Sequence, residues 1–308
     1  MISRNIKFFL FSFFLCFAFF GLVNFFQQKL ENFFLAQIVP PKESVFITPE
    51  PKKPPLEINA QAVFSLKIGR FGKEEVLFEK EAEKILPIAS LTKLMDAVVV
   101  LEDKENYDLE NTEIKISQKA AEQGDAPNEI ANLKPGEKFK VKDLLKLALL
   151  YSSNDAAYAL SEVIGTENFV AKMNEKAQSL GLKNTHFENP TGLDPLTEKD
   201  FGRFNRSTAK DLVKLSQYIL KEHPEIFEIT IKEPEEKIEN GIFDLFLPES
   251  EIIGGKTGFT KMAGGCIVFV FKNKKGDTYF NVILGTKSEK ERVEEMQKLV
   301  DWILSSNL

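Results

Sequence analysis

Residues 252–284 read IIGGKTGFTKMAGGCIVFVFKNKKGDTYFNVIL. Three apolar runs lie in this stretch, at 252–257, 265–271 and 279–284. Each is short, rich in β-branched and aromatic residues and bounded by Gly, Asn or Asp, which is the mark of strands. Gly276-Asp277 supplies a turn between the last two. Upstream, Ala62–Ile68 and 75–79 carry the same signature, joined by a turn between Gly69 and Gly72. Between the two groups of strands the pattern becomes helical. Helices are predicted over 91–101 (with Ala89-Ser90 at its start), Val141–Leu150, 155–164 closed by Gly165, 168–180 closed by Gly181, and 208–221, with a last one over 288–304. Strands at both ends with helices between them predict an α+β domain. The first two strands and the last three are expected to form one antiparallel sheet of about five strands, packed with helices.

The remainder of the chain differs in composition. Twelve of its 28 Phe lie in the first 35 residues. Residues 8–26 hold no charge, and as a helix they would reach about 28 Å, close to a bilayer core of ~30 Å. Arg4, Lys7 and the terminal amine precede them, which orients the start inward and the rest of the chain outside. The expected organisation is a cytoplasmic stub at 1–7, one transmembrane signal anchor at 8–28, a Pro-rich tether at 29–56 and a domain at 57–308. A cleaved signal peptide is the rival, but the apolar core is long for one, and a cut behind Ala36 would put bulky Phe34 where a small residue belongs. Pro40, Pro41, Pro49, Pro51, Pro54 and Pro55 favour an extended spacer.

Composition excludes several classes. The net charge is -6; residues 1–44 carry +2, so residues 45–308 carry -8. A nucleic-acid partner held by a broad basic face is not expected. Cys266 is the single cysteine after the anchor, in an apolar run, and reads as a buried, inert thiol. His186 and His223 have no metal-ligand spacing, so no metal site and no cofactor are expected.

Three motifs carry chemistry. In Ser90-Leu91-Thr92-Lys93 the hydroxyl and amine are three apart, within reach on one helix face. A helix N-terminus and a second cation would keep Lys93 neutral and fit to accept a proton. In Ser152-Ser153-Asn154, before Asp155 and a helix, the residues suit an N-cap, with Asp155 as the expected cap. Capping leaves Ser152 free to relay a proton and Asn154 to hold a carbonyl. Gly254-Gly255-Lys256-Thr257-Gly258-Phe259-Thr260 lacks P-loop spacing and leads into a strand. Its glycines permit close backbone approach, and its cation and hydroxyl suit a carboxylate.

In this order the motifs resemble the penicillin-recognising serine acyl-enzymes, and more closely the low-molecular-mass D-alanyl-D-alanine carboxypeptidases of peptidase family S11. Ala89–Met95, Tyr151–Ala157, Asn189-Pro190-Thr191-Gly192-Leu193, Lys256-Thr257-Gly258-Phe259-Thr260 and Lys134-Pro135-Gly136-Glu137 carry the likeness, which covers about 57–290. It implies a β-lactamase/transpeptidase-like fold. It implies Ser90 as nucleophile, Lys93 as general base, Ser152 as proton relay and Asn154 as the side chain that holds the substrate amide and orients Lys93. Lys256 and Thr257 would anchor a terminal carboxylate, and the N–H groups of Ser90 and Phe259, the latter behind Gly258, would form an oxyanion hole. Phe259 stands where relatives often have a polar residue. The implied partners are the D-Ala-D-Ala end of a peptidoglycan stem peptide and β-lactams as covalent inhibitors, with the membrane reached through the N-terminal helix. The β-rich second domain and C-terminal membrane helix of many relatives are not expected. A D,D-endopeptidase shares the same groups. A β-lactamase is disfavoured because Glu188-Asn189-Pro190 lacks the required Glu-to-Asn spacing. A silent wall-binding module is disfavoured because the motif residues are all present.

Overall fold

A computed structural model of the protein describes residues 4–38, 55–124, 131–195, 202–234, 241–248 and 250–305. The chain divides into two compact units, Met1–Pro54 and Pro55–Leu308. In the first, helix α1 (Arg4–Ile38) contains one stretch, Phe13–Glu31, long and apolar enough to cross a membrane. The helix also runs through 29–38, where the tether was expected to begin, and the prolines from Pro40 to Pro54 fall outside the described residues.

The second unit runs β1 (Ala62–Ile68), β2 (Glu74–Lys80), β3 (Leu86–Pro87), a 3-10 turn (Ala89–Thr92), α2 (Lys93–Glu102), β4 (Glu113–Lys115), α3 (Gln118–Ala121), β5 (Lys138–Lys140), α4 (Val141–Leu150), α5 (Asn154–Glu162) and α6 (Thr166–Ser179). It continues through β6 (Arg206–Ser207), α7 (Ala209–Glu222), α8 (Glu225–Thr230), β7 (Ser250–Thr260), β8 (Gly264–Asn273), β9 (Thr278–Thr286) and α9 (Glu289–Ser305). The five long strands form one antiparallel sheet in the order β2-β1-β9-β8-β7. The N-terminal hairpin therefore joins the C-terminal meander in one sheet, and β7 ends it.

Both faces of the sheet are covered. Side chains alternate along a strand, so each strand serves two cores. Leu66, Val268, Val270, Phe280 and Val282 pack towards the helices between β2 and β7. Val63, Ile267, Phe269, Tyr279 and Ile283 pack against Met296, Leu299, Val300 and Ile303 of α9. Phe271 and Tyr279, opposite each other across β8 and β9, stack with ring centroids 4.6 Å apart. Full burial of each such side chain is worth about 1.5–3 kcal/mol, which explains why runs too short for helices hold the sheet firmly. One polar pair crosses this core. Ser65 donates to Asn281 at 2.7 Å, its register partner on β9, and Asn281 donates to the Phe269 carbonyl on β8.

Candidate active site

Ser90 sits on the 3-10 turn that precedes α2, a tighter start than the α-helix expected from 91. Residues i and i+3 eclipse in this geometry. Lys93 Nζ consequently lies 2.9 Å from Ser90 Oγ. Ala89 is held in the left-handed region (φ 46), and its carbonyl accepts from Thr92 Oγ1 at 2.8 Å. The half-buried Ser90 faces a site built on strained backbone that neighbouring contacts hold in place.

Lys93 is completely buried and makes two further contacts, with Asn154 Oδ1 at 2.7 Å and the Thr191 carbonyl at 2.8 Å. Asn154 Nδ2 donates to the Gly124 carbonyl, which fixes the amide with its oxygen towards Lys93. A neutral amine has two N–H groups and one lone pair. Asn154 Oδ1 and the Thr191 carbonyl can only accept, so they occupy both N–H groups and leave the lone pair facing the Ser90 hydroxyl. Burial lowers the Lys93 pKa to about 7, with the carboxyl of Asp96 opposing the shift.

The Thr191 carbonyl is itself held by side chains. Asn189 Oδ1 accepts from the Thr191 N–H, the Thr191 hydroxyl and the Gly192 N–H. Asn205 Nδ2 donates to Thr92 Oγ1 and to the Asn189 carbonyl, tying this loop to the start of α2. Gly192 has φ +83, and a Cβ there would lie 2.0 Å from the Ala89 carbonyl oxygen. Only glycine fits between the loop and the turn that carries Ser90.

Ser152 and Asn154 lie where α4 gives way to α5. Ser153 caps α5, its Oγ accepting from the Ala156 N–H at 3.1 Å, so the cap is one serine rather than Asp155. Asp155 instead accepts from the Gly124 and Leu133 N–H groups. The reason is position: Asp155 is already inside the helix, where its side chain cannot reach back to N2 or N3 as an N-cap does. Ser152, in the left-handed region (φ 60), lies 2.9 Å from Lys256 Nζ.

Lys256 comes from the edge strand β7. It is 2 % exposed and also donates to the Thr257 carbonyl at 3.0 Å. Burial, reinforced by the positive charges of Lys93 and Arg292, holds its pKa well below the usual lysine range. Strand alternation puts Lys256 and Gly258 on the face towards Ser90, and Thr257 and Phe259 on the other. Phe259 is 41 % exposed. A Cβ on Gly258 would lie 2.8 Å from the Ser90 nitrogen and 3.0 Å from Ala89 Cβ. The bare backbone of β7 thus lies against the turn bearing Ser90. Arg292 Nη1, from the first turn of α9, donates to the Gly258 carbonyl at 2.9 Å behind it.

The structure brings Ser90, Lys93 and Asn154 into one hydrogen-bonded cluster, and Ser152 and Lys256 into a second. Gly258 closes on Ser90. Thr257 lies beside them on the edge strand with its side chain on the opposite face. Sequence reasoning assigned nothing to the Thr191 carbonyl, Asn189, Asn205 and Arg292. The Asn189-Pro190-Thr191-Gly192-Leu193 run stands in the sequence only as part of the family likeness, yet its chemistry is a backbone oxygen.

A helical turn with Ser-x-x-Lys closed by a Lys-Thr-Gly edge strand, on a sheet covered on both faces, is the architecture of penicillin-binding serine enzymes. Penicillin-Binding Protein D2 from Listeria monocytogenes, solved in its cefotaxime-bound form, superposes with a TM-score of 0.68 at 30% identity, over 81% of this chain and 98% of that one. Residues 51–288 match the peptidase S11 family, D-alanyl-D-alanine carboxypeptidase, and the chain belongs to that family. It is similar to D-alanyl-D-alanine carboxypeptidase DacF of Bacillus subtilis, at 33% identity over 75% of this chain and 59% of that protein. It is also similar to a D-alanyl-D-alanine endopeptidase of Pseudomonas aeruginosa, at 34% identity over 63% of this chain and 62% of that protein. The chain thus spans about three fifths of the length of these curated relatives.

Proposed function

We propose that the protein is a membrane-tethered serine D,D-carboxypeptidase that removes the terminal D-Ala from peptidoglycan stem peptides. The observation that carries this reading is the hydrogen-bond arithmetic at Lys93, which leaves an amine lone pair 2.9 Å from the Ser90 hydroxyl. Lys93 takes the Ser90 proton as Ser90 Oγ attacks the carbonyl carbon of the bond between the two D-alanines. The oxyanion is received by the N–H groups of Ser90 and Phe259. The C–N bond breaks, and the proton passes to the departing amine of D-Ala through Ser152. Water then hydrolyses the Ser90 ester, its proton returning through Lys93. Asn154 holds the peptide amide and keeps Lys93 in line. Lys256 takes the terminal carboxylate by exchanging its Ser152 contact as the substrate enters, and Thr257, whose side chain lies on the other face of β7, is left without that role. β-Lactams acylate Ser90 and stop there; a solved relative binds one, cefotaxime, which supports β-lactams as ligands of this site.

The helix at Phe13–Glu31 serves as the anchor, with the catalytic domain outside the cytoplasm. The test uses residues 55–308 and the full chain in detergent: release of D-Ala from a D-Ala-D-Ala peptide, and a covalent penicillin adduct at Ser90. Equal behaviour of wild type and Ser90→Ala in both assays refutes the assignment. A second reading, D,D-endopeptidase, rests on the likeness to an endopeptidase at 34% identity. Cross-linked muropeptide dimers separate the two: the carboxypeptidase reading expects D-Ala release from monomers with the dimers left intact.

A further inference from the structure

Three consecutive residues at the start of α5 hold a neighbouring stretch of backbone. Ser153 Oγ donates to the Ala131 carbonyl. Asn154 Nδ2 donates to the Gly124 carbonyl at 2.8 Å. The two oxygens of Asp155 accept from the Gly124 and Leu133 N–H groups, each at 2.9 Å. Asp155 is buried, and both of its oxygens are spent on backbone outside its own helix.

Gly124 is the junction of this arrangement. It has φ +63, and nothing lies within 4 Å of where a Cβ would stand. Without a side chain to pack, its place is set by its backbone groups. Its N–H is bound to Asp155 and its carbonyl to Asn154. Two adjacent side chains of α5 thus grip both polar groups of one residue.

That grip decides which way the Asn154 amide faces. Exchanging its oxygen and nitrogen scarcely changes its shape, so only its partners distinguish the two orientations. Lys93 does not distinguish them, because a neutral amine can donate to Oδ1 or accept from Nδ2. The Gly124 carbonyl does, since it can only accept. In the observed orientation Asn154 Oδ1 takes a Lys93 N–H at 2.7 Å, and the lone pair is left for Ser90, 2.9 Å away. In the reversed one the lone pair would be drawn to Asn154 Nδ2 and away from the serine. We propose that Asp155 is a positioning residue for the base: by anchoring Gly124 it locks the Asn154 amide and so keeps the lone pair of Lys93 on Ser90. The line runs from Asp155 through Gly124, Asn154 and Lys93 to Ser90, with hydrogen bonds of 2.9, 2.8, 2.7 and 2.9 Å. Asp155 acts through Asn154 and not by contact with the reacting atoms. This inference rests on the reading of Lys93 as the base that activates Ser90.

The test is a double-mutant cycle on acylation of the full chain in detergent by a fluorescent penicillin, followed over hours so that slow variants stay measurable. Asp155→Asn sets an N–H donor against one of the two backbone N–H groups. Gly124→Val breaks the relay from its other side, because a β-branched residue is strained at φ +63 although its side chain has room. Each is made in the wild-type protein and in Asn154→Ala. With Asn154 present, each slows acylation by about tenfold or more, a part of the roughly 10²–10⁴ that a positioned base supplies. In Asn154→Ala each changes the remaining rate by less than about twofold, because no amide is left to orient. Asn154→Asp, whose two oxygens are equivalent, replaces Asn154→Ala if the latter gives no measurable adduct. Equal losses in both backgrounds mean an effect of charge or of general loosening and overturn the proposal. So does a folded Asp155→Asn protein acylated within about threefold of wild type. If one variant loses its near-ultraviolet dichroism, the other carries the comparison. If both lose it, these residues hold the fold and not the amide, and the proposal is overturned. A wild-type protein without any Ser90 adduct refutes the reading of the base itself, an outcome distinct from the others.

Discussion

Replacing Gly258 by Ala tests how closely the edge strand is held to the nucleophile. The added methyl carbon would lie 2.8 Å from the Ser90 nitrogen, 3.0 Å from Ala89 Cβ and 3.3 Å from the Ile88 carbonyl oxygen. All three neighbours belong to the short segment that carries Ser90, and two of the atoms are backbone. An ordinary contact needs about 3.4 Å, so β7 and the turn must part by about half an ångström. Oxyanion donors work at about 2.7–3.1 Å, and a displacement of that size takes one of the two donors out of range. Loss of one donor costs about 10²–10³ in rate, or roughly 2.7–4 kcal/mol of transition-state stabilisation. The overpacking itself costs about 1–3 kcal/mol of stability, a fall of several degrees in the unfolding midpoint of a domain this size. Acylation by a fluorescent penicillin, followed by gel at several concentrations, gives the second-order rate constant. A folded Gly258→Ala protein acylated within threefold of wild type would refute the reasoning, because the contact of β7 with Ser90 would then not set the reactive geometry.

Three other outcomes follow from the same geometry. Lys93 must be neutral to act and its pKa is about 7, so acylation falls about tenfold per unit of pH below 7 and levels off above 8; a flat profile between pH 5.5 and 8.5 contradicts this. Gly192→Ala would drive a Cβ to 2.0 Å from the Ala89 carbonyl at φ +83, and a loss of more than tenfold in acylation is expected, with a lowered unfolding midpoint, checked by the same two measurements. Burial pushes the Cys266 thiol up to about 11, so it should resist a maleimide in the native domain and react once unfolded; rapid native labelling would show that β8 is not packed as described.

How far the molecule was legible in its sequence depends on which atoms do the work. β1 and α4 match their predicted bounds, because apolar residues there sit at the strand and helix periods and turn or cap residues end them. The single antiparallel sheet was legible for the same reason, while its strand order depends on long-range pairing that no local pattern records. Short pieces such as β3 and β6 escaped notice, since two residues cannot show a period. At the site, Ser90, Lys93, Ser152, Asn154 and Lys256 were visible because their side chains have a chemical identity at a recognisable spacing. The Thr191 carbonyl was not, since every residue has one and only the fold decides which oxygen meets Lys93. Arg292 was hidden among the charges of α9 for the opposite reason: nothing in Lys290-Glu291-Arg292 marks the one side chain that turns inward.

The most direct measurement is the intact mass of the domain before and after brief exposure to benzylpenicillin, with Ser90→Ala beside it. The account predicts one added penicillin per wild-type chain, mapped by peptide sequencing to Ser90, and none on Ser90→Ala. An unmodified wild-type mass, or an equal adduct on both proteins, would contradict it.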